Sequence, residues 1–228
     1  MKNVLVLTSG GIDSTTLLYY HAKRKQLAGA IAFNYGQRHL KELEFAGLNA
    51  QALGVPITTV NISSLGPILS GSSQTDASVP VPEGHYSEES MKATVVPNRN
   101  MILLSIAIGA AIAKKIDFVA YAAHAGDHAI YPDCRPEFTK AMGSAARLCD
   151  WRKITLLRPF IKMTKGWIVA EGEELGVDFT KTWSCYQGGA LHCGRCGTCV
   201  ERRLAFIEAK VVDPTTYQDP DFALQYQK

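Results

Sequence analysis

The sequence predicts an α/β fold: a doubly wound parallel sheet with helices on both faces, followed by a C-terminal zinc knuckle and helix. Three observations support this prediction. Short apolar, β-branched runs alternate with longer helical patterns, as repeated βαβ units require. The first apolar run leads directly into a Ser-Gly-Gly turn and then a helix. Four of the six cysteines lie within 15 residues near the C-terminus.

The composition is that of a globular protein with a substantial core. The chain has 228 residues, of which 46% are hydrophobic and 20% charged, and these values exclude a disordered chain. The length predicts either one sizeable domain or one domain with an appendage, and we place the boundary between residues 1–181 and 182–228. The net charge of +3 is too small to predict nucleic-acid binding. We expect a cytoplasmic protein, since neither a membrane-spanning run nor a signal-peptide pattern is seen.

Five runs have the composition of strands in a parallel sheet. The first, KNVLVLT, is nearly continuous in apolar residues, as expected of a strand buried on both faces. Each later run, from AGAIAF and PITTV onward, follows a helical pattern. The predicted strands are residues 2–8, 28–33, 56–60, 117–122 and 153–157.

Six longer segments show helical patterning. Gly54 and Gly176 follow two of them, where helices often end in a left-handed residue. Residues 62–97 break the alternation because they are rich in Ser, Gly and Pro, and so long a segment is typical of a functional loop or lid. The predicted helices are residues 13–25, 39–53, 100–114, 135–148, 164–175 and 198–210.

The turn after the first strand has the composition of a phosphate-binding loop. Gly10 and Gly11 let the backbone turn sharply and approach a ligand closely. The turn ends at a helix N-terminus, where free N–H groups and the helix dipole favour an anion. The predicted nucleotide-binding residues are Thr8, Ser9, Gly10, Gly11, Ile12, Asp13, Ser14, Thr15 and Thr16.

Asp13 stands inside this anion-binding loop. A carboxylate there would repel a phosphate unless a cation lay between them, so the sequence predicts Mg²⁺ at this position. The alternative is that Asp13 only caps the helix. The loop matches neither G-x-x-x-x-G-K-[ST] nor G-x-G-x-x-G.

The stretch from Ser9 to Ser14 resembles the PP-loop of the ATP pyrophosphatase superfamily. This resemblance implies a Rossmann-like fold of the adenine nucleotide alpha hydrolase type. It also implies cleavage of ATP to AMP and pyrophosphate, with adenylation of an acyl or carbonyl oxygen. In that superfamily the loop cradles the leaving pyrophosphate, and Asp13 would then hold Mg²⁺ bound with ATP.

The cysteine cluster predicts one structural Zn²⁺ per chain. Cys193, Cys196 and Cys199 are separated by two residues each, and Cys185 lies eight residues before the first of them. Four thiolates complete a tetrahedral site and leave no position for water. An iron–sulfur cluster or redox thiols are the alternatives, and His192 could compete with Cys185 as a ligand.

Four further stretches lie beyond predicted strand ends or at helix starts, where a doubly wound sheet binds its ligand. They are NYGQRH, VPNRN, the segment from HAGDH to YPDCRPEF, and TWSCY before the cysteine cluster. Together they resemble the 7-cyano-7-deazaguanine synthase family of the queuosine pathway over nearly the whole chain. Asn98 departs from the family's usual glycine, but asparagine tolerates a positive φ.

The resemblance implies an ATP-dependent carbon–nitrogen ligase. Members convert 7-carboxy-7-deazaguanine and ammonia to the nitrile through an adenylated acid and an adenylated amide, and they release AMP and pyrophosphate. The sequence shows no glutaminase segment, so free ammonium or a separate donor would supply nitrogen. A homodimer is one expected assembly, because the family is often dimeric; neither nucleic acid nor a membrane is an expected partner.

The predicted catalytic residues come from the loop and these stretches. Arg99 could hold the substrate carboxylate or the α-phosphate through its planar guanidinium, or it could be an ordinary residue at a surface helix start. Asp133 could accept from the guanidine-like edge of the base, or it could be a turn residue beside Pro132. The full set is Asp13, Arg99, Lys165, Asp133 and Arg135.

The remaining roles are implied less specifically. Arg135 could face the phosphates, and Lys165 occupies a place where many PP-loop enzymes contact ATP, although it could also lie on a solvated helix face. One of three residues in the segment after the fourth strand could deprotonate ammonium: His124, Asp127 or His128.

Two other functions stay open from the sequence. A PP-loop tRNA thiolase would need a catalytic cysteine pair, for which Cys134 and Cys149 are candidates, and an RNA-binding appendage. A zinc-knuckle binding module would have a degenerate PP-loop, whereas Ser9, Asp13 and Ser14 are intact here. AMP release would distinguish an enzyme from a binding module, and an RNA requirement would identify the thiolase.

Overall fold

A computed structural model describes residues 3–86 and 89–227. Its centre is a parallel five-stranded sheet in the order β3-β2-β1-β4-β5. The strands are β1 (Val4–Leu7), β2 (Leu27–Asn34), β3 (Ile57–Asn61), β4 (Phe118–Ala120) and β5 (Thr155–Leu157). All five predicted strands are confirmed, although the first was predicted to begin at Lys2, which lies outside the described residues.

Six α-helices follow the predicted segments closely. They are α1 (Ile12–Lys23), α2 (Lys41–Ala52), α3 (Arg99–Ala113), α4 (Pro136–Leu148), α5 (Lys165–Glu174) and α6 (Gly197–Ala209). The largest difference at a helix start is in α2, which begins two residues later than predicted. Before this helix, the side chain of Gln37 accepts from the backbone N–H of Tyr35 and donates to the carbonyl of Phe33, so it stabilises the turn that follows β2.

The two faces of the sheet build two separate hydrophobic cores. Val4 and Val6 of β1 pack with apolar side chains of α1, α5 and α6. Leu5, which points to the opposite face, packs with those of α3 and α4. This alternation follows from the period-two geometry of a strand and confirms the doubly wound fold.

The strand order places β1 and β4 side by side at a topological switch point. The chain leaves β1 toward β2 on one side and leaves β4 toward β5 on the other. The loops that follow these two strands therefore diverge and open a crevice at their carboxyl ends, which is where such sheets bind ligands.

Residues 62–97 form a compact connection with two short 3₁₀ helices, Ser63–Leu65 and Glu89–Thr94; residues 87 and 88 lie outside the described part. One side chain from another segment organises it. The guanidinium of Arg38 donates to four carbonyls in this connection, at distances from 2.8 to 3.4 Å. Whether the segment acts as a lid stays a prediction.

Backbone and side-chain hydrogen bonds hold the chain around residue 182 against the first loop of the sheet and α2. The backbone N–H of Trp183 donates to the carbonyl of Gly10 at 2.9 Å, and the side chain of Asn49 in α2 donates to the carbonyl of Lys181 at 2.6 Å. The division into residues 1–181 and 182–228 stays a prediction. None of the helices in the described ranges has the length and hydrophobicity to cross a bilayer.

Candidate active site

A cavity of about 230 Å³ opens at the carboxyl ends of β1 and β4. Its wall is built by the segments after β1, β2 and β4, by part of the connection 62–97, by the first turns of α2, α3 and α5, and by the chain at the start of α6. The structure therefore brings distant parts of the sequence together at the switch point. The predicted site residues on the wall are Thr8, Ser9, Gly11, Ile12, Asp13, Ser14, Arg99 and Lys165.

Hydrogen bonds between two serines shape the loop after β1. The backbone N–H of Ser9 donates to Oγ of Ser14 at 3.0 Å, and the two hydroxyl oxygens lie 3.2 Å apart. Gly10 has φ of +84°, and an added Cβ there would collide with the carbonyl of Glu42. The second position of this loop therefore requires glycine, and the loop packs tightly against α2.

The other predicted loop residues lie off the cavity. Thr15 and Thr16 are fully buried, and among the described residues their hydroxyls have no hydrogen-bond partner. Thr16 packs against α5, since a Cβ added at Gly172 would lie 2.8 Å from Thr16 Oγ1. With Gly10, these two threonines support the loop from behind, and their predicted contact with a nucleotide stays a prediction.

Lys165 connects the loop after β1 to α6. Its Nζ lies 3.0 Å from Oδ2 of Asp13 and 2.7 Å from Oε2 of Glu201. Burial opposes the charge of Lys165, but the two carboxylates outweigh it and raise the lysine pKa above its ordinary value. Burial likewise opposes ionisation of Asp13, yet the neighbouring Lys165 and His124 hold its pKa below the ordinary value. The site thus keeps an ammonium and a carboxylate ionised side by side.

His124 is buried behind this ion pair. It is 1% exposed, and its Nδ1 accepts from the backbone N–H of Gly126 at 3.1 Å. Its Nε2 must then bear the proton, and it faces Oδ2 of Asp13 at 3.8 Å and Oδ2 of Asp127 at 3.6 Å. Asp127 lines the cavity, whereas neither His124 nor His128 does.

Arg99 lies at the start of α3 among aromatic rings. The residue before it, Asn98, has φ of +56°, which confirms the expectation that asparagine takes the left-handed turn usual for glycine. The guanidinium carbon lies 6.0 Å from the ring centre of Tyr35 and 5.9 Å from that of Tyr131. The Tyr131 hydroxyl in turn lies 3.2 Å from that of Tyr186. The tyrosines on the cavity wall are Tyr35, Tyr86, Tyr121 and Tyr186.

Asp133 and Arg135 lie away from the described wall of the cavity. Oδ2 of Asp133 accepts from the backbone N–H of Asn100 at 3.0 Å and so caps the start of α3. Arg135 is exposed, and its Nε donates to the carbonyl of His128 at 2.8 Å. Their predicted contacts with the base and the phosphates stay predictions.

Sequence reasoning missed two acids on or beside the wall. Glu42, in the first turn of α2, lines the cavity; burial raises its pKa to about 7, although nearby Arg99 opposes the shift. Glu201 of α6 holds Lys165, and burial raises its pKa as well. Both lie in helices where a charged residue is usually solvated, so no local signal distinguished them. The wall tyrosines carried a weak signal, because two of the four, Tyr35 and Tyr186, belong to the quoted motifs.

The four clustered cysteines form a candidate metal centre. Their sulfur atoms all lie within 4.8 Å of one another, and those of Cys193 and Cys199 are 3.8 Å apart. A tetrahedron with Zn–S bonds of about 2.3 Å has S···S edges of about 3.8 Å, so the cluster fits zinc. The backbone N–H groups of Cys193 and Cys196 each donate to a cluster sulfur at 3.3 Å, as suits thiolates.

His192 lies beside this cluster but contacts Ser184 and Trp183 instead. Its Nε2 accepts from the backbone N–H of Ser184 at 3.2 Å, and its ring lies against Trp183 with centres 4.2 Å apart. The ligand group among the described residues consists of the four cysteines alone. This geometry favours Cys185 over His192 as the fourth ligand, and the ligand assignment stays a prediction.

Comparison with known proteins gives one consistent result. The family model described as "Queuosine biosynthesis protein QueC" matches residues 3–210. The chain is 55% identical over 221 residues to the 7-cyano-7-deazaguanine synthase of Allorhizobium ampelinum, covering 96% of this chain and 94% of that protein. It is 54% identical over 224 residues to 7-cyano-7-deazaguanine synthase 1 of Mesorhizobium japonicum, covering 97% and 96%.

A solved structure supports the fold alone. The NMN synthetase from Francisella tularensis matches with a TM-score of 0.53 at 15% sequence identity, covering 100% of this chain and 78% of that one. At this identity the match indicates a shared arrangement of strands and helices, and it carries no information on substrate.

Proposed function

The chain belongs to the QueC family of queuosine biosynthesis proteins, and from this premise we propose that it is an ATP-dependent 7-cyano-7-deazaguanine synthase. As a carbon–nitrogen ligase it converts 7-carboxy-7-deazaguanine and ammonia to the nitrile and releases AMP and pyrophosphate. The observation that supports this most directly is the composition of one cavity. It combines an anion-binding loop, a guanidinium and a wall of tyrosines.

The loop after β1 binds the phosphates of ATP. The first N–H groups of α1 have no partners within the helix, and α1 begins at the loop that lines the cavity, so they can stabilise the leaving pyrophosphate there. Without ligand, the hydroxyls of Ser9 and Ser14 are hydrogen-bonded to each other. When ATP binds, they can rotate and donate to phosphate oxygens. Lys165 adds a fixed positive charge on the same wall.

Asp13 fits a magnesium ligand. Its Oδ2 is engaged by Lys165, while Oδ1 is buried and has no hydrogen-bond partner among the described residues. A buried carboxylate oxygen without a donor suits a hard cation, and Asp127 offers a second carboxylate on the cavity wall. When bound with ATP, Mg²⁺ supplies charge neutralisation of the phosphates.

Arg99 and the tyrosines bind the deazapurine. The planar guanidinium can grip the substrate carboxylate with two parallel hydrogen bonds. Tyrosine rings give a flat heterocycle a stacking surface and polar hydroxyls at its edge. Arg99 and Ser14 line the same cavity, so a carboxylate held by Arg99 shares that cavity with phosphates bound at the loop after β1.

Two activations then follow in one site. A carboxylate oxygen attacks the α-phosphorus of ATP, pyrophosphate leaves onto the loop, and ammonia displaces AMP from the acyl carbon to give the amide. The amide oxygen attacks a second ATP in the same way, and loss of AMP gives the nitrile. One site serves both steps because acid and amide present similar oxygens to the α-phosphorus. Positioning of these oxygens is the main contribution expected of Arg99.

The cysteine cluster has a structural role in this proposal. One Zn²⁺ per chain would be held by four thiolates, with no open position for water or substrate. The cluster lies where the chain enters α6, since Cys196 precedes the helix and Cys199 lies in its first turn. Zinc therefore fixes the start of the helix that bears Glu201.

The proposed partners are small molecules: ATP, ammonia and the free deazapurine acid. Recognition of a free base needs no contact with nucleic acid, and we place the reaction in the cytoplasm, with a homodimer as the expected assembly. A tRNA thiolase is disfavoured by Cys134. Burial, with Asp127 and Asp133 nearby, raises the pKa of this thiol and opposes formation of a nucleophilic thiolate.

Mass spectrometry of a reaction with ATP, ammonium and 7-carboxy-7-deazaguanine tests the proposal. We expect the amide to appear first and the nitrile later, with one AMP released at each activation. AMP formation that required added RNA would identify a thiolase instead. A complete lack of AMP with every substrate present would identify a binding module.

A further inference from the structure

We propose that Glu42 is the general base of the nitrogen step: its carboxylate takes a proton from ammonium beside the activated acyl carbon. This inference rests on the proposed function. It assigns a catalytic role to a residue that the sequence motifs leave out.

Glu42 lies close to the loop after β1 and to Arg99. It lies in the first turn of α2 and lines the cavity together with the loop after β1 and Arg99. Its backbone carbonyl packs against Gly10, so the position of this turn is tied to that of the loop. If Arg99 grips the substrate carboxylate, the carbon that ammonia must attack lies beside Arg99, and Arg99 is the charged neighbour of Glu42.

The charged and titratable groups that face Glu42 come from three other segments. They are the guanidinium of Arg99 at the start of α3, the phenol of Tyr35 after β2 and the phenol of Tyr186 before α6. Its own neighbour Lys41 is directed elsewhere, with Nζ 4.2 Å from the ring centre of Trp183 and bound to the carbonyl of Gly189. One cation and two neutral phenols thus surround a single carboxylate.

The other candidate bases either lie off the cavity or already contact other groups. His124 does not line the cavity; its Nδ1 lone pair accepts from the N–H of Gly126, and its Nε2 faces the carboxylates of Asp13 and Asp127. His128 does not line the cavity, and Asp133 caps α3. Asp127 lines the cavity, but its carboxylate faces His124 and accepts from the hydroxyl of Tyr86 at 3.4 Å.

The acid–base properties of Glu42 suit this work. Burial raises its pKa to about 7, against the opposing influence of Arg99. A general base is most effective when its pKa lies near the working pH, because the ionised form is then both populated and basic. An exposed glutamate would be a weaker base by more than two pKa units.

The proton balance of both steps can be written with Glu42 as acceptor. Glu42 takes one proton from ammonium, the ammonia lone pair forms the C–N bond, and the C–O bond to AMP breaks with its electron pair on AMP. The second excess proton leaves nitrogen for the AMP phosphate, and the carboxyl returns its own proton to solvent. In the second step Glu42 removes one N–H proton of the O-adenylated amide as AMP departs, and the other goes to the AMP phosphate.

Glu42→Gln separates this role from substrate binding. At neutral pH we expect amide formation from ammonium to fall about 100-fold or more. Exchange of labelled pyrophosphate into ATP with the acid, which needs no ammonia, should fall far less. The deficit in amide formation should shrink as the pH rises toward the pKa of ammonium, since solution then supplies free ammonia. Hydroxylamine, which is uncharged at neutral pH, should trap the adenylate as hydroxamate at similar rates in both proteins.

Two further variants complete the test. Glu44→Gln, an exposed change in the same helix turn, is the matched control and should behave as wild type. Glu42→Asp keeps the carboxylate on a side chain that is one methylene shorter. It should show a smaller deficit in amide formation, and high pH should relieve this deficit too. A deficit of equal size at every pH, or equal losses in pyrophosphate exchange and amide formation, would overturn the role of Glu42 as base. Absence of pyrophosphate exchange in the wild-type protein would count against the proposed function itself.

Discussion

Lys165 and Glu201 form an ion pair with an N–O distance of 2.7 Å, and this pair joins α5 to α6. Both side chains are 12% exposed. Because Lys165 also contacts Asp13, the pair links the helix that follows the cysteine cluster to the candidate magnesium ligand. A change in α6 should therefore affect the loop after β1, which is the proposed ATP-binding loop.

Glu201→Gln tests that link. Of its two ion pairs in the described part of the chain, Lys165 would keep the one with Asp13, so we expect a loss of about 3 kcal/mol in unfolding free energy, as for a broken buried pair. Pyrophosphate exchange should fall as well, because the lysine is less well positioned. Urea unfolding and exchange kinetics measure the two effects. Glu201→Asp should restore part of both; a variant that unfolds earlier but exchanges normally would show that Glu201 is only structural.

Asp13→Asn tests the candidate magnesium ligand. The amide cannot bridge a cation and the phosphates as a carboxylate does, so adenylation should be lost at ordinary magnesium concentrations while the fold persists. AMP formation across a magnesium titration measures this. Wild-type AMP formation at low magnesium would remove Asp13 from the mechanism.

Cys196→Ser tests the metal centre. Structural zinc contributes folding free energy, so metal content and melting temperature should fall together. Elemental analysis and thermal unfolding give the two values. Cys149→Ser changes an exposed thiol outside the cluster and serves as control. Full zinc occupancy in Cys196→Ser would refute the ligand assignment.

Arg99→Lys tests the proposed grip on the substrate carboxylate. Lysine keeps the charge but replaces two parallel hydrogen bonds with one point contact. Loss of positioning can cost on the order of 100-fold in rate, so turnover with acid and amide should both fall while the melting temperature holds. Steady-state kinetics and thermal unfolding check this. Equal turnover, or a collapse of stability, would mean that the substrate anion is held by another group.

The pH dependence of stability tests the burial of Glu42. Its folded pKa of about 7 lies above the ordinary value of 4.5, so the folded state binds more protons between these pH values. Stability should therefore decline as the pH rises through this window. Glu42→Gln removes the titrating group, and the difference in melting temperature between variant and wild type should grow in favour of the variant over the same range. A constant difference would indicate an unperturbed carboxyl.

The succession of strands and helices along the chain, the loop after β1 and the cysteine cluster could all be predicted from the sequence. Each depends on residues close together in the chain: an apolar strand followed by Ser-Gly-Gly, or thiols two residues apart. Asn98 belongs to this group, since its left-handed turn follows from local backbone preference. Such features are set by short-range sterics and hydrogen bonding, which the local sequence specifies.

The tertiary structure decided which distant side chains meet. Lys165 is 152 residues from Asp13 and 36 from Glu201, yet it contacts both. Glu42 lines the cavity, although its place in the sequence is typical of a solvated helix residue. Arg135 does not line it, although it belongs to one of the quoted motifs. The reason is physical: the direction of a side chain in the crevice depends on how helices from separate βαβ units pack on the sheet. That packing is a property of the folded chain, and no single segment contains it.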